Sequence, residues 1–393
     1  MYYLSISLLL ILFSISVNAI DFIRIGAPLP LTGPLSLEAN KQKRGYELWA
    51  ELVNKAGGIK VGEQALNVKI FYRDYQSDSQ KARQAVQSLV DYDGVHFLFA
   101  PYGSMAAREA SAVAQKFKIP MIAVTASSYQ AYGRGHRYIF GTFTPNATLI
   151  EPIANLINLS SPDIKNCALL IRDDLFPLSL AREVLTSIKK RNIKVVFYEK
   201  YTIGKNDHIE ALKRLKKTSP DWIFTAGYTK DLILVRQQMD ELGISANFLT
   251  MIAAPAYQEF IDATGPLAEN ITSASWWHPA VRYNGQTIFA STENFVHLFN
   301  KKYHSTPDYV EASAALAGAL FQMAIERANS LDGESVRNEL AKMNETTFFG
   351  PVQFGENGQN ESLVPPIFQI QNGKAVIVYP TKIASGKLKI KLK

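Results

Sequence analysis

Two short loops and two aromatic side chains beyond them carry the residues of this chain best suited to holding a small molecule. Ser104 follows the apolar run Phe97-Leu98-Phe99-Ala100 and the loop Pro101-Tyr102-Gly103, and it precedes an alanine-rich segment of helical spacing that ends at Phe117. A serine so placed caps the helix with its hydroxyl. The exposed N–H groups and positive end of the same helix also favour a carboxylate, and the two roles are compatible. Tyr102 would form an aromatic wall or shield the sheet edge, and Gly103 gives the loop its freedom. Thr125, Ala126 and Ser127 form the matching loop after the strand-like run Pro120–Val124. Side chains that small let backbone N–H and C=O groups approach a ligand, although a tight strand–helix turn needs them equally. Phe176, after Asp173-Asp174, and Tyr228, in Ala226-Gly227-Tyr228, would cover an apolar or aromatic ligand, or else simply pack in a core.

Catalysis finds no comparable support. The sequence holds no G-x-S-x-G elbow, no H-E-x-x-H, no Walker-type glycine loop, no dinucleotide glycine fingerprint and no Cys/His array. The six histidines are dispersed, and the one cysteine, Cys167, sits in the apolar run Cys167–Ile171 and reads as a small core filler. The expectation is a non-enzyme with neither cofactor nor metal.

The elements that must position these loops alternate in type. Ile23 and Ile25 open a strand, a loop with Pro28, Pro30, Thr32, Gly33 and Pro34 follows, and Tyr46, Trp49, Ala50 and Val53 recur at helical spacing until Gly57-Gly58 ends the helix. Strands are predicted over 66–72, 97–100 and 120–124 with helices between them, which implies βαβ units on a parallel sheet. The rhythm restarts after a polar passage at 142–146, with strands over 167–171, 194–198, 222–226 and 247–251. Helices over 289–303, 309–329 and 334–343 then precede a β-rich end in which Asn372-Gly373 turns a hairpin. A chain of 393 residues exceeds one comfortable core, so two α/β domains are expected.

Pro30-Leu31-Thr32-Gly33 and Asn54-Lys55-Ala56-Gly57-Gly58-Ile59 resemble the start of the Leu/Ile/Val-binding family of solute-binding proteins. The resemblance continues through Pro162–Asp174, Pro220–Gly243, Ser275-Trp276-Trp277-His278-Pro279 and Phe348–Phe354. It implies two doubly wound parallel-sheet lobes joined by a three-crossing hinge near 143, 275 and 349, the type I periplasmic-binding-protein architecture. The lobes would be 20–142 plus 276–348 and 143–275 plus 349–393. By the same resemblance Ser104 and Ser127 hold polar groups of the ligand and Tyr228 is a cleft tyrosine; Trp276 and Trp277 would line the cleft rim beside the hinge, or bury in a seam between the lobes. The implied role is capture of an amino acid or related carboxylate or amide and its delivery, by a monomer, to a membrane permease with a cytoplasmic ATPase. A sensor module feeding a chemoreceptor is the alternative, and a secreted hydrolase a more distant one. One departure bears on the ligand. Amino-acid binders of the family place an acid after a late second-lobe strand, where this chain reads Thr250-Met251-Ile252-Ala253-Ala254. Asp173, Asp174 or Asp231 would have to substitute, or the ligand lacks an amine.

Composition fits an exported receptor. The first twenty residues carry no charged side chain, and Leu4–Val17 is short for a membrane span, which needs about 20 residues. Val17-Asn18-Ala19 suits signal peptidase, so 1–19 reads as a signal peptide cut before Ile20, with a membrane anchor as the alternative. The absence of disulfides favours a periplasm over an animal extracellular space, despite five Asn-x-Ser/Thr triplets. The net charge of +7 comes from scattered lysines, densest in 382–393, which reads as a β-edge or frayed tail rather than a nucleic-acid arm.

Overall fold

The computed structural model describes residues 22–133, 135–160 and 164–390, so the expected signal peptide lies outside the described residues. Two sheets organise the chain. The first has six strands in the order 59–61, 64–74, 22–29, 97–99, 121–123, 139–141, parallel except for the hairpin 59–61/64–74. The second has seven, in the order 374–379, 367–371, 271–274, 248–252, 222–226, 166–172, 194–201. Its five earlier strands in the chain run parallel, and the last two join antiparallel. Strands Phe97–Phe99, Met121–Ala123 and Trp222–Ala226 are buried at every residue, because helices cover both faces of each sheet. That double cover explains why these strands read as unbroken apolar runs rather than alternating ones.

The opening helix, Ser36–Lys55, presses Tyr46, Trp49, Ala50 and Val53 inward as its spacing predicts. It crosses helix Tyr309–Ala328 at two glycines. A Cβ on Gly45 would lie 2.3 Å from the Glu311 carbonyl oxygen, and one on Gly318 would lie 2.1 Å from the Trp49 ring. Only hydrogen fits at either point. Gly45→Val should therefore destabilise the protein by about 1–3 kcal/mol or more through overpacking, measured as a lower urea midpoint than wild type. An unchanged midpoint would mean that the helices separate freely.

The chain passes between the sheets three times. Residues 142–146 lead from the first sheet to helix Ala147–Ser160, which packs on helix Leu175–Lys190 beside the second sheet. The stretch after Ala274 leads back to the helices 292–303, 309–328 and 333–341. The third passage falls later than the expected 349. Strand Gly350–Gln353 pairs with Asn344–Thr347, Phe354 packs on Phe140, and Gln359 bridges Gly141 of the first sheet. The chain joins the second sheet only at Ile367. The physical reason lies in Asn360, whose side chain donates to the carbonyls of Thr142 and Pro351 and holds this segment to the first sheet.

The basic tail departs from the frayed reading. Gln369 donates to the carbonyl of Lys389 and accepts from its N–H, and Gln371 donates to the carbonyl of Lys387. Leu388 and Ile390 rest on the apolar core. Among the described residues no helix is long and apolar enough to cross a membrane.

Candidate ligand-binding cleft

In parallel α/β sheets ligands settle outside the carboxyl ends of the strands. There the strand 97–99 delivers Tyr102, Gly103 and Ser104, and the strand 121–123 delivers Thr125, Ala126 and Ser127. Ser104 does not cap its helix as the sequence suggested. Gly103, at φ 83°, takes the cap position, and Ser104 is the first residue of helix Ser104–Phe117. Its hydroxyl accepts the N–H of Ser128 at 3.2 Å, which ties the two loops together. Thr125 does the same from the other side by accepting the N–H of Gly103 at 3.0 Å. The Tyr75 hydroxyl donates to the Tyr102 carbonyl, Tyr132 to that of Ala126, and Gln359 to that of Ser127. The Ser127 hydroxyl is buried with no hydrogen-bond partner among the described residues.

From the second sheet, strand 166–172 leads to Phe176 in the first turn of helix Leu175–Lys190, and strand 222–226 leads to Tyr228, which caps helix Thr229–Glu241. Arg172 lies beneath Tyr228, its guanidinium 4.8 Å from the ring centroid. Arg172 bonds Asp231 at 2.7 Å, and Asp231 accepts the Tyr228 N–H at 3.0 Å. The third member, Asp174, stands 3.7 Å from the Arg172 Nε, with its Oδ1 buried and unpartnered. Burial pushes the Asp174 carboxyl up, while Arg172 and the amides of Leu175 and Phe176 pull it back. Asp173 turns outward to Lys200. Of the three acids offered as substitutes for the missing one, Asp231 is thus committed to Arg172 and Asp173 to Lys200, and Asp174 shares Arg172.

The two sets of loops meet face to face. Tyr102 and Tyr228 have ring centroids 5.7 Å apart, and a Cβ on Gly103 would lie 3.0 Å from the Tyr228 hydroxyl. Phe176 packs between Tyr228 and Trp276, with both centroids at 6.3 Å. Polar contacts cross the seam as well. The Thr229 hydroxyl donates to Glu38 at 2.7 Å, the Ser128 and Ser179 hydroxyls bond at 2.6 Å, and Lys41 bridges to Glu259 at 2.8 Å. Tyr257 and Tyr309 share a hydroxyl bond of 2.7 Å over stacked rings. Burial raises the pKa of Tyr102, Tyr228, Tyr257 and Tyr309, so these phenols remain neutral hydrogen-bonding groups.

The structure thus brings Tyr102, Gly103, Phe176 and Tyr228 together across one seam, with Ser104 and the Thr125–Ser127 loop tied to it from the first lobe through Gly103 and Ser128. Trp276 adjoins them. It stacks on Phe143 at 4.0 Å and 3°, and its indole N–H donates to the Thr144 carbonyl. It therefore fastens the second passage to the first. Trp277 is buried farther back, against Phe295 and Phe349. His278 next to it is structural, for its Nδ1 accepts the Ala280 N–H and burial lowers its pKa to about 4.

Sequence reasoning missed Glu38, Ser128, Ser179, Thr229, Tyr257 and Tyr309. Glu38 had a legible signal. It continues the buried stripe of its helix backwards from Tyr46 through Gln42 at four-residue steps, an odd place for an acid. A cavity of about 440 Å³ lies elsewhere on the seam, lined by Lys41, Arg44, Glu259, His278 and Asp308 among others. Its charges pair with one another and with Glu311 beside it, Lys41 with Glu259 and Asp308 and Arg44 with Glu311.

A model of the family described as periplasmic binding protein matches residues 23–374. The chain belongs to the periplasmic binding protein family. This periplasmic binding protein is 28% identical over 397 residues to Leu/Ile/Val-binding protein homolog 8 of Brucella abortus (strain 2308), covering 95% of this chain and 94% of the relative. Its fold is that of LivJ from Streptococcus pneumoniae in complex with isoleucine, with a TM-score of 0.80 at 21% identity over 91% of this chain and 100% of the other. It is also that of an R. palustris solute-binding protein in complex with benzoate, with a TM-score of 0.77 at 17% identity over 91% and 95%. The type I architecture expected from the sequence is therefore observed, and the family is one of substrate-binding proteins.

Proposed function

We propose that this chain is the extracytoplasmic receptor of an ABC importer, secreted through its N-terminal segment and closing around a small solute that bears a carboxylate. Ligand meets Ser104, Ser127 and the Thr125 loop first. Phe176 and Tyr228 then close over it from the second lobe, and the closed form docks on a membrane permease. The lobes in this reading are 22–142 with 276–360 and 143–275 with 367–390, and Trp276 sits at their hinge.

The observation that carries the reading is the Ser127 hydroxyl, buried without a partner among the described residues and next in sequence to Ser128, which bonds Ser104 at the start of its helix and Ser179 of the second lobe. A helix N-terminus with a spare hydroxyl suits a carboxylate. Isoleucine and benzoate, each bound by a relative of the same fold, share that group. In this reading a bound solute is retained rather than consumed.

A thermal-shift panel of amino acids and aromatic carboxylates, followed by calorimetry, tests this. A captured solute raises the midpoint with its concentration, as linkage requires. Ser104→Ala should weaken it by about 1–3 kcal/mol, or roughly 5–150-fold. A panel without any stabilising carboxylate would contradict the reading, and unchanged affinity in Ser104→Ala would remove that residue from the site.

A further inference from the structure

Glu38 is 1% exposed, and its two carboxylate oxygens differ. Oε1 accepts the Thr229 hydroxyl across the seam, whereas Oε2 has no hydrogen-bond partner among the described residues. A buried carboxylate half satisfied in this way is costly unless a cation or donor reaches it. The nearest cation in sequence, Lys41, is held by Glu259 and Asp308. Arg172 is held by Asp231. Lys41 thus acts on Glu38 only at a distance, and among the described residues no cation bonds its Oε2. The loop after strand Phe248–Ile252 supplies only Ala253-Ala254.

We propose that Glu38, from the first lobe, is the counterion for a ligand ammonium group, so that the cleft takes a zwitterionic amino acid in preference to a plain carboxylate. The proposal rests on the capture reading above. The ligand carboxylate lies at the Ser104 helix end and Ser127, and its ammonium fills the vacant valence of Oε2. Thr229 fixes the Glu38 carboxylate only when the lobes are shut, so recognition of the ammonium and closure reinforce each other. Asp174 is the competing acid, with a spare oxygen of its own. It stands 3.7 Å from the Arg172 guanidinium, whereas no ion pair reaches Glu38 among the described residues, and the Asp174→Asn variant below separates the two.

The test is calorimetry on the full mature chain with paired probes: L-isoleucine against 3-methylpentanoate, L-phenylalanine against 3-phenylpropanoate, and benzoate alone. Wild type is expected to bind at least one amino acid and to reject its deaminated partner. Glu38→Gln should weaken the amino acid by roughly 10–150-fold, the range for a lost hydrogen bond to a charged group, and erase the preference within the pair. Thr229→Val removes the inter-lobe bond but keeps the carboxylate. It should weaken both members of a pair alike and keep their ratio, which separates a counterion from a mere latch. The inference is overturned if benzoate or a deaminated acid binds wild type as tightly as any amino acid, while the capture reading then stands. It is overturned equally if the preference survives Glu38→Gln or is lost in Asp174→Asn instead. If no probe binds, the capture reading fails and this inference fails with it. Should Glu38→Gln not fold, the wild-type pairs and Thr229→Val decide.

Discussion

Arg172→Met is expected to destabilise the second lobe by about 3–5 kcal/mol, the usual cost of leaving buried carboxylates without their cation. Among the described residues Arg172 is the only cation bonded to Asp231, and it also stands beside Asp174, with all three nearly sealed from water. Methionine fills much of the same volume, so the loss is one of charge rather than of packing. Asp231 also receives the Tyr228 N–H, and its unpaired charge would draw in water and disturb the aromatic lid. Urea unfolding monitored by far-UV circular dichroism reads the effect. Adding Asp231→Asn to Arg172→Met should recover part of the loss, because a neutral amide needs no cation. A loss below about 1 kcal/mol would mean that water or protons already neutralise the carboxylates, and would demote the trio from structural support of Tyr228.

Trp276→Ala is the second large effect, with an expected cost of about 3–5 kcal/mol, typical of a truncated buried tryptophan. More than packing is lost. The indole stacks on Phe143, touches Phe176 and Tyr309, and donates to the Thr144 carbonyl, so it fixes two passages of the chain against the aromatic wall of the cleft. The variant should bind any captured solute more weakly as well as unfold earlier, because the lobes would close with less defined orientation. Trp277→Ala provides the comparison. It removes an equally buried ring that packs on Phe295 and Phe349, away from Phe176, and should cost stability with a smaller loss of affinity. Equal loss of affinity in both variants would refute the distinction.

Much of the fold was legible because strands and helices in a doubly wound sheet carry their own signals. Cys167–Ile171 and Trp222–Ala226 are apolar because both faces are covered, and Tyr46, Trp49 and Val53 recur because one helix face is. The hairpin strand Ile59–Val61 was not read, since three residues give too short a pattern to count. The third passage was misplaced because the side chain of Asn360, not a run of residue types, holds 350–360 to the first sheet. The same distinction governs the cleft. Ser104, Thr125 and Tyr228 were legible as loop residues after strands, where position alone suggests a role. The role of Ser104 was not, because the left-handed backbone of Gly103 moves the cap by one residue and frees the hydroxyl for Ser128. Glu38 and Tyr257 reach the seam only through the packing of one lobe on the other, which no local spacing encodes.

The central claim is that one solute is held by both lobes at once, and hydrogen exchange of the full chain reads this directly. With a stabilising amino acid at saturation, amides of 102–105 and 125–128 in the first lobe should gain protection together with those of 174–177 and 228–231 in the second. Protection confined to one lobe, or appearing instead around His278 and Asp308, would contradict the account.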